Sequence, residues 1–384
     1  MFRLCRASLA GLAFVLAAPT QPAPHPPVDP RVYAGLGWRN VGPFRGGRVS
    51  AVSGAIGQPG VFYAGFPAAG VWKTTNAGMT WVPIFDSIRT VSSIGAVEVA
   101  PSNPDVIYVG TGDMITASTI DQGDGIYKSI DAGKTWRQIG LEDSKHIPSI
   151  LVDPRSADVV LVATQGDPFH KTSQRGVFRS ADGGRSWTKT LYVDDETGAQ
   201  KLAHAADVPD VIFATTVKHY ARANYPTEKI RSWQLGLAPR PAPDTGGTGT
   251  AVFKSLDGGL TWRELTGGGI PRLEGRTSIA VAMNTNAQRV FLLGTTGLWR
   301  SDDGGATWRR MALDDERIKT GQGGYDCGVY VDPKNPELVY TLSTSSYVSR
   351  DGGATFTGFK GAPGGDDPQQ LYRPDRWPAD VDGS

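Results

Sequence analysis

Cysteine is nearly absent from this sequence. Two occur in 384 residues, Cys5 and Cys327. Cys5 falls in a segment that reads as a leader, so the rest of the chain holds one thiol and no internal disulfide can form. Cys327 opens the apolar run CGVYV and reads as a small buried hydrophobe, not a nucleophile. Cys5 precedes the apolar run of the leader and lacks the small-residue setting of a lipidated cysteine. A charge surplus is also missing. Lys plus Arg number 39 and Asp plus Glu 38, which excludes a global field recruiting nucleic acid or an anionic membrane. Histidine is scarce, with five in all. His146 and His170 have no partner at metal-ligand spacing, so no zinc site, no other metal and no cofactor is expected. Long apolar runs are missing beyond the N-terminus, so no membrane span is expected.

The N-terminus carries its own anatomy. Met1 to Arg6 is short and basic, and Ala7 to Ala18 (ASLAGLAFVLAA) is apolar but too short to cross a bilayer. Residues 1–23 read as a signal peptide and 24–36 as a proline-rich linker. The mature protein is expected to be secreted or periplasmic.

What the chain has in abundance is glycine, 49, and proline, 27. It also has one octapeptide written six times. Ser255 to Trp262 reads SLDGGLTW. The other copies are Thr74 to Trp81, Ser129 to Trp136, Ser180 to Trp187, Ser301 to Trp308 and Ser349 to Phe356. A fixed motif recurring at this interval marks a repeat architecture. The terminal aromatics stand at 81, 136, 187, 262, 308 and 356, giving steps of 55, 51, 75, 46 and 48 residues. Each copy closes a similar unit. In the second unit Ser93–Ala100, Val106–Gly110, Gly125–Ser129 and Thr135–Ile139 read as short strands bounded by Gly, Pro and Asp. Four such strands per repeat predict the blades of an all-β propeller. The blades are placed near 49–84, 93–139, 149–193, 200–265, 278–312 and 327–359.

Within each copy the acid position is expected to tie down a turn. The residues are Asn76, Asp131, Asp182, Asp257, Asp303 and Asp351. A carboxylate or amide oxygen can accept nearby backbone N–H groups, and Gly-Gly supplies the positive φ such a turn needs. The Trp is expected to pack between neighbouring sheets. The long step places an insertion at 218–249 in the fourth blade, between its second and third strands, where Tyr220, Tyr225 and Trp233 could stack on sugar rings or pack the insertion down. Trp38 to Gly42 resembles the strand that follows each octapeptide, and no seventh copy follows Phe356. The expected ring, over 37–384, is six complete blades plus a partial seventh, with a truncated C-terminus. Closure on six blades is the alternative.

These octapeptides resemble the Asp-box, or BNR (bacterial neuraminidase), repeats of sialidases, xyloglucanase-type glycosidases and the sortilin propeller. WRNVGPFRGGR (38–48), VWKTT (71–75), VGTGD (109–113), GDGIYKS (123–129), YVDDETG (192–198) and DPKNPELV (332–339) are similar to a group of exported bacterial glycosyl hydrolase-like, sortilin-N-terminal-like proteins. That resemblance runs from about residue 31 to 367. The family's catalytic residues do not carry over. The loop matching the first xyloglucanase carboxylate, Gly65 to Gly70, has no acid, and sialidase motifs are not met.

By analogy with other propellers, ligands are expected where loops between strands two and three surround the central channel. Candidates there are Arg45, Arg48, Asp113, Asp124, His146, Asp167, His170, Arg276, Tyr325, Asp366 and Asp367. Asp113 and Asp124 share one loop, and two carboxylates at glycosidase separation could serve as acid and base. Two readings stand side by side: a glycosyl hydrolase-like protein recognising glycans, and a non-catalytic sortilin-like propeller holding a peptide or protein.

Overall fold

Apolar residues alternate along short segments, and glycine-rich turns punctuate them. Among the described residues the result is 24 short strands and almost no helix. The computed structural model describes residues 29, 49–113, 121–168, 170–218, 251–273, 275–318, 327–343 and 345–359. The leader, the linker, Trp38 to Gly42, the insertion beyond Lys218, Arg45, Arg48, Tyr325, Asp366 and Asp367 lie outside the described residues. So does any part of a seventh blade.

The strands form six four-stranded antiparallel sheets, each built in chain order from its own repeat. These are the blades of a β-propeller. Blade 2 is typical: Ile94–Val99, Ile107–Thr111, Ile126–Ser129 and Arg137–Gln138. The first strands of the other blades are Ala51–Gly54, Ser149–Val152, Thr197–His204, Ser278–Val281 and Gly328–Val331. Fourth strands are shorter than the sequence suggests. Five of the six pair over two residues only. The residues before them are used up by the octapeptide turn, and the aromatic that ends it is turned toward the neighbouring blade.

The octapeptide explains how each blade closes. The first hydroxyl is buried in every copy, with Thr74, Ser129, Ser180, Ser255, Ser301 and Ser349 at 1 % exposure. It accepts the N–H of the fifth residue at 2.7–3.0 Å and donates to Oδ1 of the acid-position residue at 2.7–2.9 Å. That same oxygen accepts the N–H of residue seven at 2.8–2.9 Å. In five copies the seventh hydroxyl donates to Oδ2. The fifth position must be glycine for two reasons. At Gly184 φ is 88°, and a Cβ there would lie 2.3 Å from Ile139 of the preceding blade.

Two kinds of tie join successive blades. The indole Nε1 groups of Trp136, Trp187 and Trp262 donate to Ile84 O, Ile139 O and Thr190 Oγ1 of the blade before, at 2.7, 2.8 and 3.2 Å. In the other direction, the basic residue just ahead of each of the first five octapeptides reaches the fourth-position carbonyl of the next one. Lys73 bonds Ala132 O, Lys128 Gly183 O, Arg179 Gly258 O, Lys254 Gly304 O and Arg300 Gly352 O, at 2.7–3.3 Å. Three of these lysines also sit over an aromatic ring of their own blade, at 5.1–5.3 Å from its centroid. Blade 6 carries Val348 at the corresponding place.

Candidate functional site

The first strands face one another around a central cavity of about 80 Å³, lined by residues of all six blades. Most of the lining is small: Ser50, Ala51, Gly95, Ala96, Ser149, Thr277 and Ser278. Four large polar side chains stand out against it: Glu98, Lys201, Arg276 and Tyr330. Glu98 and Lys201 lie just past register shifts in their strands, between Ile94 and Ala96 in blade 2 and between Ala199 and Lys201 in blade 4. Such bulges re-aim side chains. Burial pushes the Glu98 carboxyl up to about 7, against a smaller opposing pull from Lys201. Burial and then repulsion from Arg276 push the Lys201 amine down. Burial raises the Tyr330 phenol to about 12. Of this group, sequence reasoning named only Arg276. A lone acid in IGAVEV and a lone lysine in TGAQKLAH were the available signals.

A second group occupies the loops between strands two and three of blades 2 and 3 and the link between these blades, which carries His146. His146 is fully buried and joins the two loops. Its Nδ1 lies 2.6 Å from Asp113 O, and its own carbonyl accepts the Gln165 N–H at 2.9 Å. Burial holds the imidazole down at about 4, so it is neutral at pH 7. Among the described residues its Nε2 has no hydrogen-bond partner. Asp113 is 6 % exposed, and its N–H donates to Ser93 Oγ at 2.9 Å. Beyond it, Asp167 pairs with the exposed His170 at 2.8 Å.

Arg175, missed in the sequence, organises this second loop. It is fully buried. Its guanidinium donates to the carbonyls of Asp195, Gln165, Asp167 and His170. Four carbonyls curl round one cation, and burial lowers its pKa. A lone arginine preceding Gly176 carried no pattern that could have marked it.

Asp124 has a different setting. Its carboxylate accepts the hydroxyls of Thr90 at 2.7 Å, Tyr127 at 2.9 Å and Thr111 at 3.3 Å. These ties bind it to the wall between blades 1 and 2. Asp113, His146, Asp167 and His170 are thus brought into adjoining loops, and Arg276 belongs to the central cavity. Cys327 is buried, with Sγ 2.9 Å from Leu293 O. Among the described residues no three His, Cys, Asp or Glu side chains gather into a metal-binding set. Among them, too, no helix is long and apolar enough to cross a membrane.

Comparison with known proteins fits this architecture. A family model described as Sortilin, neurotensin receptor 3 (Sortilin-Vps10) matches residues 69–235. The chain is similar to a xyloglucanase of Paenibacillus sp, 24% identical over 389 residues, covering 93% of this chain and 35% of that protein. It is also similar to xyloglucanase Xgh74A of Acetivibrio thermocellus, 21% identical, covering 77% and 36%. The chain therefore spans about a third of the length of these relatives. Among solved structures, an ancestral GH74 enzyme superposes with a TM-score of 0.56 at 19% identity, covering 85% of this chain and 39% of that one. YCF48 bound to D1 peptide superposes with a TM-score of 0.52 at 13% identity, covering 85% of both chains. At those identities the superpositions speak for the fold alone. Six repeat-built blades, the sortilin-type model match and the xyloglucanase relatives agree: the chain is a β-propeller similar to those of sortilin and xyloglucanases.

Proposed function

We propose that this chain is an exported, glycosyl hydrolase-like propeller that recognises a glycan on the face formed by the strand two to three loops of blades 2 and 3. The observation that carries the reading is the likeness to a xyloglucanase over 93% of the chain. The geometry supports the location. Asp113, Asp167 and His170 stand in loops held by His146 and Arg175, and carboxylates accept sugar hydroxyls readily. Fixed loops lose little entropy when a ligand binds.

The test is titration of the full chain with xyloglucan oligosaccharides and, in parallel, a peptide panel. Binding of the glycans, weakened about tenfold in Asp167→Asn by loss of a charge-assisted bond, is the expected result. Unchanged affinity in Asp113→Asn and Asp167→Asn together would move the site elsewhere. Peptide binding without glycan binding would favour the sortilin-like reading. Hydrolysis by Asp113 and Asp124 is a separate step of this proposal. Xyloglucan turnover that survives both Asp113→Asn and Asp124→Asn would remove the pair from consideration. The three hydroxyls around Asp124 support a wall-building role for it.

A further inference from the structure

We propose that Lys201 is the reactive amine of a covalent site in the central cavity, where it forms an imine with a small aldehyde. Lys201 and Glu98 both line the cavity, and each is only partly buried, so a molecule held there touches them. Among the described residues, neither side chain makes a hydrogen bond or an ion pair. An enclosed charge is normally paired, and other lysines of this chain show the contrast. Lys128 pairs with Asp158 at 3.0 Å, and Lys254 donates to Gly304 O at 2.7 Å. An amine becomes a nucleophile when desolvation or a neighbouring cation drives off its proton. Both act here. Burial first, and then Arg276, make Lys201 lose its proton more readily than usual. Size sets the class of substrate. A water occupies about 30 Å³ of liquid, so a cavity of about 80 Å³ takes a molecule the size of acetaldehyde, not a sugar chain.

The Lys201 Nζ lone pair attacks the carbonyl carbon and forms the new C–N bond, while the π pair of the carbonyl moves onto oxygen. One proton then passes from nitrogen to that oxygen, giving a carbinolamine. Glu98 supplies the next proton. Its carboxyl, raised by burial to about 7, is still substantially protonated at neutral pH and serves as a general acid. It protonates the hydroxyl, water leaves with the C–O bonding pair, and the nitrogen lone pair closes the C=N bond. The products are one water and a protonated imine beside a Glu98 carboxylate. The two charges appear together and attract, which offsets the cost of creating them in an enclosed place. This site is independent of the loop-face reading, since neither Asp113 nor Asp167 lines the cavity.

The experiment incubates the full chain at pH 7 with acetaldehyde and sodium cyanoborohydride, which reduces an imine to a stable ethylamine. Peptide mass spectrometry then compares Lys201 with Lys134, an exposed lysine. The expected result is ethylation of Lys201 about tenfold ahead of Lys134 at early times, because the more readily deprotonated amine reacts first. Benzaldehyde, which is too large for the cavity, should reverse that preference. Glu98→Gln should slow the labelling of Lys201 by about tenfold or more, while Lys134 keeps its rate. Labelling of Lys201 by acetaldehyde no faster than that of Lys134, or labelling of Lys201 by benzaldehyde ahead of Lys134, overturns the proposal. Unchanged labelling of Lys201 in Glu98→Gln overturns the part given to the acid. The wild-type comparison decides the matter even where the variant fails to fold.

Discussion

Asn76 is a natural substitution experiment. Its Oδ1 takes the same two bonds as the aspartates, from Thr74 Oγ1 and Thr80 N, both at 2.9 Å. Its amide then donates to Thr80 Oγ1 at 2.8 Å, reversing the donor and acceptor of the other copies. The turn therefore needs an oxygen and a partner for the seventh hydroxyl, and it does not need a charge. Asp257→Asn should leave the unfolding midpoint at pH 7 close to wild type, while Ser255→Ala should cost about 1–3 kcal/mol by orphaning the Gly259 N–H. Denaturant titration of both variants checks this. Where the residue is Asp, protonating it disturbs the turn, and this shows only in acid. Hydroxyl and backbone donors hold Asp131, Asp257 and Asp303 at about 2, below the usual 3.8. Their contribution is complete above 3.8 and is lost as pH falls through 2. Thermal midpoints measured between pH 5 and 2 should decline over that window, less steeply in Asp257→Asn. These turns were legible because six copies repeat one pattern. Arg175 was not, because a single buried polar residue has no periodicity, and its partners come from another loop; His146 was named as a candidate, but its buried bond to the Asp113 carbonyl was not foreseen.

At the scale of strands, the octapeptide and its spacing located five blades almost to the residue. They could not set the length of the fourth strands, which depends on where each aromatic is drawn across to a neighbour. The basic ties were present in the sequence as Lys or Arg directly before five of the six copies. Their meaning appears only when the next blade's carbonyl comes into reach. Lys254 illustrates the energetics. Its ammonium donates to Gly304 O at 2.7 Å and lies 5.3 Å from the Phe213 ring centroid. Lys254→Met keeps the apolar stem and removes both polar contacts, and should cost about 1–2 kcal/mol. Chemical denaturation followed by Trp fluorescence would show whether the loss is in stability. No change at all would mean that water replaces the ammonium at the carbonyl without penalty.

The whole molecule shows its chemistry at the centre, where six first strands meet. The all-β propeller of six four-stranded blades was legible from the repeats, but the central polar group was not. Glu98, Lys201 and Tyr330 lie in three different blades, and only the closing arrangement brings them to one cavity. Glu98 also shapes global stability. Its folded carboxyl titrates at about 7 against 4.5 for the free group. A raised acid favours the folded state while protonated, so that contribution fades as pH climbs from 4.5 through 7. Glu98→Gln should therefore raise the thermal midpoint more at pH 8 than at pH 5, read by calorimetry at the two values. The ties between blades add a sense of direction to the assembly. Both the indole bonds and the basic bonds fasten an octapeptide to the blade before it. A lesion in one turn thus frees a cation and an indole contact on the lower-numbered side, while the blade after it keeps its own turn. Damage in such a molecule is one-sided: it loosens the seam toward the preceding blade and leaves the seam toward the following one tied.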